Sequence, residues 1–349
     1  MELRTIVTGI MVFALGCFAP AATGRNDVLA QPPLGQKLRI DYVETLREQA
    51  SLRGESFRIT KQPASPAEAA VMLRRPTAVA ADLFRVYVTD RFTEPGISST
   101  ARIFIFERSS QTLSIIRSDP SPTAATYETR ARLIDPFGIA VDASGMIYVS
   151  DAQQGLVFGL DRLGARLLTV GRMGDLGYPV SVAVDAPRGR LYVVDKQGGV
   201  VRVFTTRGER LFDLGVPDRK KGRLRTPVGI AVDRGGTCYV LEAGRKKVQV
   251  YDVNGRNVRS FPLTAGADRA GIKPTGIAAD SDGHVYVTDA FSNAIHIFDV
   301  DGSYLQSLGR MGSNRDEFWN PLGIFIDSRD TIFIADEMNS RIQVYQYTK

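Results

Sequence analysis

The 349-residue sequence is poor in the residues that most often build catalytic and metal sites: it has two cysteines, two histidines and one tryptophan. Cys17 lies in an apolar N-terminal segment, so Cys238 has no partner for an internal disulfide, and we expect it to be a small core residue. A zinc site needs three or four converging ligands, which His284 and His296 alone do not supply. We therefore expect two ordinary strand histidines, no metal and no cofactor.

Long apolar runs are absent beyond the first 21 residues. Thr5–Phe18 is apolar but short for a bilayer span, and Ala19 and Ala21 have the spacing of a cleavage site, so residues 1–21 are predicted to be an export signal peptide. Ala14-Leu-Gly-Cys17 is also similar to a bacterial lipobox, in which Cys17 would carry a lipid anchor. An uncleaved anchor is a third interpretation. The sequence thus predicts a periplasmic or extracellular protein, or a lipoprotein held at a membrane.

The sequence is rich in one stretch that recurs six times. The cleanest copy, from Pro274 to Gly309, contains four short runs of β-branched and aromatic residues separated by turns rich in Asp and Gly. Its opening proline recurs at Pro76, Pro136, Pro179, Pro227, Pro274 and Pro321. A four-strand repeat of about 40–50 residues is typical of a propeller blade. We predict an all-β fold, a six-bladed β-propeller of four-stranded antiparallel blades, over residues 76–349.

The repeated strands resemble the NHL repeat family. The first strands read PTAVAAD, PFGIAVD, PVSVAVD, PVGIAVD, PTGIAAD and PLGIFID, and each is followed by a strand such as VYVTD or IYVSD. The resemblance covers about Pro76 to Lys349 and implies the propeller fold. NHL-type peptide-amidating lyases use a histidine-based zinc site, which this sequence does not match. Because the RING, B-box and coiled-coil segments of NHL ubiquitin ligases are absent, ligase activity is not expected.

The end of the chain predicts how the ring closes. Blade six ends at Tyr347-Thr-Lys349, just after its predicted third strand, Arg341–Tyr345. Its fourth strand must then come from residues 22–75, a lead in which we expect short helices and a closing strand. We predict that Ser56–Thr60 is this strand, that Asp41–Arg53 is helical, and that a capping box at Ser65 opens another short helix.

Recurrent aspartates end the first strands, at Asp142, Asp185, Asp233, Asp280 and Asp327. Because each recurs once per blade, we expect it to support a turn rather than to bind calcium. The hairpin turn that begins at Asp299 has counterparts at Asp161, Thr205 and Asp252. The predicted innermost strands contain no Glu, whereas six-bladed lactonases place carboxylates around a channel metal. No serine–histidine arrangement, phosphate-binding glycine loop or carboxylate pair is evident.

Basic residues are concentrated in two runs, at residues 218–225 and 244–248, in a chain of net charge +6. In an up-and-down blade, the connections between blades and those between the second and third strands open on one face. The sequence therefore predicts an anion- or partner-binding site on that face, formed by Arg219, Lys220, Lys221, Arg223, Arg225, Arg245, Lys246 and Lys247. The alternative is a solvated face that aids solubility.

Together these features predict an exported, non-enzymatic scaffold, monomeric, that binds a protein or an anionic envelope component through its basic loops. Two other functions stay open. One is a propeller enzyme of the lyase or lactonase type, against which the scarcity of histidine weighs. The other is nucleic-acid binding, because some NHL propellers bind RNA on a basic loop face. The predicted export signal argues against that partner, so no nucleic acid is expected.

Overall fold

The computed structural model describes residues 38–46, 51–52, 55–56, 73–91, 101–110, 112–117, 133–172, 174–215, 224–264 and 271–349. Strands dominate these residues, and the helical elements among them are three single 3-10 turns, Ala186–Arg188, Ala243–Arg245 and Glu337–Asn339. No helix in these ranges is long and apolar enough to cross a membrane.

The strands form six antiparallel four-stranded sheets, which are the predicted blades. Three strands precede blade one: β1 (Arg39–Leu46), β2 (Ser51–Leu52) and β3 (Glu55–Ser56), the last two pairing with each other. Blade one is β4 (Pro76–Ala81), β5 (Arg85–Asp90), β6 (Arg102–Glu107) and β7 (Leu113–Arg117). Blade two is β8 (Pro136–Val141), β9 (Ile147–Asp151), β10 (Leu156–Leu160) and β11 (Arg166–Val170). Blade three is β12 (Pro179–Asp185), β13 (Arg190–Asp195), β14 (Val200–Thr205) and β15 (Arg210–Leu214).

The remaining blades repeat this pattern. Blade four is β16 (Pro227–Val232), β17 (Cys238–Glu242), β18 (Lys247–Tyr251) and β19 (Asn257–Pro262). Blade five is β20 (Pro274–Ala279), β21 (Val285–Asp289), β22 (Ala294–Phe298) and β23 (Tyr304–Leu308). Blade six takes β24 (Pro321–Ile326), β25 (Thr331–Asp336) and β26 (Arg341–Thr348) from the C-terminus, and β1 is its fourth strand.

Closure of the ring by an N-terminal strand is confirmed, but the predicted segment is wrong. β1 pairs with β26 and places Tyr42 opposite Tyr345, whereas Ser56 pairs within the β2–β3 hairpin. The helix predicted from Asp41 is also wrong over the described residues, because 39–46 are extended. Burial explains the outcome: Ile40 and Tyr42 pack against the blade-six core, and the Tyr42 ring meets Tyr345 edge-on at 5.6 Å. Residues 57–60 and the helix predicted at Ser65 lie outside the described residues.

The second strand of each blade is buried on both faces and fills the space between neighbouring blades. Its aromatic residue is among the largest buried groups, at Tyr87, Tyr148, Tyr192, Tyr239, Tyr286 and Phe333. Removing such a side chain from water stabilises the fold by roughly 1.5–3 kcal/mol. Four of the tyrosines also donate their hydroxyl group to the aspartate that ends the preceding first strand, as Tyr286 does to Asp280 at 2.9 Å.

The first-strand aspartates support turns as predicted, except in blade three. The Oδ1 atom of Asp142 accepts the amides of Ser144 and Met146, and the same pair of bonds recurs at Asp280 and Asp327. Asp233 accepts the amide of Thr237. Asp185 differs, because a 3-10 turn follows it and its carboxylate contacts Arg188 instead. The hairpin turns at Asp161, Thr205, Asp252 and Asp299 likewise accept backbone amides through their side chains.

Small residues in the first strands let the blades meet closely around the axis. A Cβ atom on Gly138 would lie 2.7 Å from the Cα atom of Ser181 in the next blade. One on Gly323 would lie 2.7 Å from the Cα atom of Ala78, where blade six meets blade one. A larger residue at either position would push the backbones of adjacent blades apart, which accounts for the recurrent Gly-Ile of these strands.

Candidate functional site

A buried carboxylate at the end of each second strand fixes the loops on one face of the ring. This face, called the loop face below, carries the connections between blades and those between second and third strands. The six acids are Asp90, Asp151, Asp195, Glu242, Asp289 and Asp336. Each accepts backbone amides from the connection that leads into its own blade; Asp336, for example, accepts the amide of Trp319 at 2.7 Å.

These acids also have partners on the neighbouring chain segments. Arg102, Arg202 and Arg341 pair with the acids of blades one, three and six, and Gln154, Gln249 and His296 contact those of the other three. The carboxylates of the loop face are therefore largely buried and committed to holding loops. The exposed charged side chains of the loop face are therefore mainly Lys and Arg.

The first strands enclose a channel along the ring axis with a volume of about 830 Å³. Its walls are mostly Val, Ile, Ala and Gly side chains. At the loop-face end the lining includes Lys196, Thr226 and Lys273. A cavity of this size with apolar walls and a few polar groups at its mouth has the general form of a ligand pocket.

The opposite face of the ring, called the turn face below, carries the turns between first and second strands and between third and fourth strands. Side chains contact other blades across this end of the channel. Arg234 of blade four donates to the carbonyl oxygen of Ser328 in blade six. Arg188 donates to the carbonyl oxygen of Gly235 at 2.7 Å, which joins blades three and four. Because Arg234 and Ser328 also line the channel, these contacts narrow its turn-face end.

The connections that carry the two basic runs adjoin each other on the loop face. The amides of Ala243 and Gly244 donate to the carbonyl oxygens of Thr226 and Arg225, each at 3.0 Å. Arg225, Arg245, Lys246 and Lys247 therefore lie in one sector. Arg219, Lys220, Lys221 and Arg223 lie outside the described residues, as does Cys17.

The cations of this sector differ in their surroundings. Arg245 pairs with the buried carboxylate of Glu242, and the Lys247 Nζ atom lies 3.9 Å from the same carboxylate. Within the described ranges, no carboxylate lies within ion-pair distance of Lys196, Lys246 or Lys273. Nothing in the sequence singles out Lys196 and Lys273, which are single lysines beside a strand. Only the closed ring brings them to the channel mouth next to the basic runs.

Thr226 lies at this mouth in a backbone conformation that is rare for a β-branched residue. Its φ is +57°, and Asn320, at the same place before the first strand of blade six, also has φ +57°. The left-handed region costs most residues about 1–2 kcal/mol. The surrounding bonds, including the one from the Ala243 amide, hold the Thr226 backbone in place.

The two histidines lie in blade five and do not line the channel. His284 contacts Asp280 at 2.8 Å on the turn face, and this hydrogen bond raises the pKa of His284 despite partial burial. His296 bridges strands: its Nε2 atom lies 3.2 Å from Asp289, and its Nδ1 atom lies 2.7 Å from the Ser307 hydroxyl. Among the described residues, no group of three or more His, Cys, Asp or Glu side chains has the arrangement of a metal site.

Hydrogen bonds link Ser307 to His296 and His296 to Asp289. The sequence did not predict this serine–histidine–carboxylate contact. Ser307 and His296 are cross-strand neighbours on β23 and β22, so register rather than sequence spacing brings them together. Burial alone would raise the pKa of Asp289, but hydrogen bonds from His296, Ser292 and two backbone amides outweigh it and lower this pKa to about 2. Polar residues occupy the register position of His296 in blades three, four and six, namely Arg202, Gln249 and Gln343, and each contacts the buried acid of its blade. The contact of His296 with Asp289 therefore performs the same loop-holding role.

Cys238 is a core residue, as expected. It is buried in the blade-three and blade-four core, and burial raises the pKa of its thiol to about 12. A thiol held in this state is a poor nucleophile at neutral pH.

Comparison with known proteins agrees with this architecture. A family model described as a 6-bladed beta-propeller matches residues 267–349. No curated protein sequence matches the chain significantly.

Several solved structures are similar over most of the chain. A gluconolactonase from Xanthomonas campestris is 15% identical, with a TM-score of 0.57 over 93% of this chain and 99% of that chain. A catalytically inactive virginiamycin B lyase from Staphylococcus aureus, with quinupristin, is 16% identical, with a TM-score of 0.54 over 89% and 99%. An auxiliary nutrient binding protein from Bacteroides thetaiotaomicron is 13% identical, with a TM-score of 0.59 over 90% and 78%.

At such identities the likeness concerns the fold alone. The resemblance to NHL repeats in particular stays an expectation drawn from the sequence. The closed ring of six four-stranded blades, together with these matches, identifies the chain as a six-bladed β-propeller.

Proposed function

We propose that this propeller is an exported binding scaffold whose loop face docks an anionic partner, either a protein or an envelope component. One observation carries the proposal: the exposed lysines Lys196 and Lys273 line the loop-face mouth of the channel on blades three and five. Between them, on blade four, the exposed Arg225 and Lys246 lie in the connections whose residues Thr226 and Ala243 also line the channel. Among the described residues, no carboxylate lies within ion-pair distance of Lys196, Lys246 or Lys273, so direct pairing does not neutralise these three charges. Clustered positive charge attracts anionic surfaces and weakens with added salt.

A propeller enzyme of the lyase or lactonase type is the second candidate, because proteins with both activities share the fold. The apolar channel with its polar mouth favours this candidate. The positions of the histidines favour the scaffold, since both are engaged with aspartates inside blade five and away from the channel. A metal analysis of the purified protein, with turnover assays on gluconolactone and on virginiamycin B, separates the two.

Charge reversal on the loop face tests the proposal directly. Lys196→Glu, Lys246→Glu and Lys273→Glu are combined in one variant, and Arg162→Glu, Arg207→Glu and Arg256→Glu in its control. The control residues are exposed in turns between third and fourth strands, on the turn face, and give the same change in net charge. We expect retention on heparin, measured as the eluting salt concentration, to fall much further in the loop-face variant.

Two outcomes would contradict the proposal. Equal losses in the two variants would mean that only net charge matters, and no loss in either would mean that this sector binds no polyanion. Thermal melting of both variants checks that the fold is intact. A nucleic-acid partner is tested alongside, because competition by single-stranded RNA at lower concentration than heparin would favour that alternative.

Export is a separate part of the proposal. We expect residues 1–30 fused to a reporter that is active only outside the cytoplasm to give activity. Cys17→Ser distinguishes the two forms: release of the full-length protein from membranes supports lipidation at Cys17, and an unchanged distribution supports cleavage near Ala21. A silent reporter would contradict export.

A further inference from the structure

Four large apolar side chains are exposed on the loop face of blades five and six. They are Phe291, Met311, Trp319 and Met338, with exposed fractions of 59%, 63%, 46% and 47%. We call them the aromatic–methionine patch. Isolated exposed apolar residues are ordinary, but several on one set of adjoining loops indicate an interaction surface.

Backbone bonds join the loops that carry the patch. The Met338 amide donates to the carbonyl oxygen of Trp319 at 3.1 Å, and Met311 forms a β-bridge with Phe318, the residue before Trp319. Two of the buried acids hold the aromatic members, because Asp289 accepts the Phe291 amide and Asp336 accepts the Trp319 amide. The four side chains thus stand on one rigid platform.

The polar side chains among these loops are already engaged with one another. Asn320 donates to Glu337 and Asn339 donates to the carbonyl oxygen of Gly312. Asn293 accepts the Asn320 amide at 2.8 Å, and Arg75 pairs with Glu337. A sugar ligand would need such groups for its hydroxyls. With these groups engaged, the polar surface left on these loops is mainly the exposed segment at residues 313–316, beside the patch.

Cations lie directly beside this apolar surface. Lys273 precedes the first strand of blade five, and its carbonyl oxygen accepts the amide of Ala290, the residue before Phe291. Arg310, next to Met311, is 76% exposed and also pairs with the Glu317 carboxylate at 3.1 Å. Beyond Lys273 lies the basic sector of blade four. An anionic bilayer surface presents the complementary chemistry, with phosphates for the cations and a headgroup–acyl boundary for aromatic and methionine side chains.

We propose that the loop face docks on an anionic lipid bilayer, with the aromatic–methionine patch entering the headgroup–acyl boundary and the neighbouring cations contacting lipid phosphates. This inference rests on the proposed function, since it names the anionic partner of the same face. A soluble acidic protein is the competing occupant and is an outcome of the test.

Trp319 makes the test specific, because it is the only tryptophan in the chain. Vesicles of phosphatidylcholine with 30% phosphatidylglycerol are titrated into the protein, with pure phosphatidylcholine vesicles as the neutral comparison. We expect the Trp319 emission to shift to shorter wavelength and to be quenched by brominated acyl chains in anionic vesicles only. Phe291→Ser with Met338→Ser should lower vesicle affinity by roughly tenfold or more through lost apolar contact.

A matched control lies on the opposite face, where Leu83 and Phe84 are 58% and 61% exposed. Leu83→Ser with Phe84→Ser should leave vesicle binding unchanged, and neither variant should change retention on heparin, which has no acyl phase. An unshifted Trp319 emission, or equal losses in both variants, would overturn the bilayer inference and favour a soluble acidic protein. If heparin retention still depends on the loop-face cations in that case, the proposed function stands while this inference fails. If heparin retention does not depend on the loop-face cations, both the proposed function and this inference fail.

Discussion

At the scale of single residues, the six buried acids of the second strands show what a repeat can and cannot predict. Their positions follow from the repeat, because each ends a strand of the form VYVTD. Their partners do not, since the group that faces each acid is set by strand register and changes from Arg102 to Gln249 to His296. The repeat therefore locates these carboxylates along the chain, but it indicates neither their burial nor the contact between Ser307 and His296.

Asp289 gives a prediction at this scale. Its pKa is lowered from 3.8 to about 2 in the fold, so its contribution to stability is present above pH 4 and is lost as the pH falls toward 2. We expect Asp289→Asn to lower the free energy of unfolding at pH 7 by about 1–2 kcal/mol, with a smaller difference from wild type at pH 2.

Denaturant unfolding at both pH values measures this difference. Asp301→Asn is the control in the same blade, because the Asp301 side chain is 86% exposed, and it should have little effect. A cost for Asp289→Asn that does not shrink on acidification would contradict the assigned role of the ionised carboxylate.

At the scale of elements, the six blades followed from hydrophobic alternation and turn residues, whereas the closing strand did not. Residues 39–46 carry two patterns: Asp41 and Glu44 have capping-box spacing, and Ile40 and Tyr42 alternate. Pairing with β26, about 300 residues later in the chain, decides between them, because it buries Ile40 and Tyr42 in blade six. Local sequence contains no information about so distant a partner.

The closing strand supplies a prediction at this scale. Tyr42→Ala should lower the free energy of unfolding by about 1–3 kcal/mol, because it removes a partly buried ring from the contact with Tyr345. Val43→Ala is the control in the same strand, since Val43 is 50% exposed, and should cost less than about 0.5 kcal/mol. Similar unfolding curves for the two variants would mean that β1 contributes little to closure.

At the scale of the whole molecule, closure into a ring turns scattered residues into one surface. Lys196 and Lys273 are 77 residues apart in the chain and both line the channel mouth. Sequence reasoning selected the two basic runs because they are contiguous, and in the described part of their connections Gly244 lies against Arg225. Closure of the ring is what brings Lys196 and Lys273 to one channel mouth and the members of the aromatic–methionine patch onto one face.

The proposed function requires that the loop face, and not the protein as a whole, binds the anionic partner. Hydrogen–deuterium exchange in the presence and absence of heparin locates the contact most directly. We expect slower amide exchange with heparin than without it in the loop-face segments at residues 196–199, 224–226, 243–247 and 271–273. Exchange should be unchanged in the turns that begin at Asp161, Thr205 and Asp252 on the turn face. Protection on the turn face, or protection spread evenly over both faces, would contradict binding by the loop face.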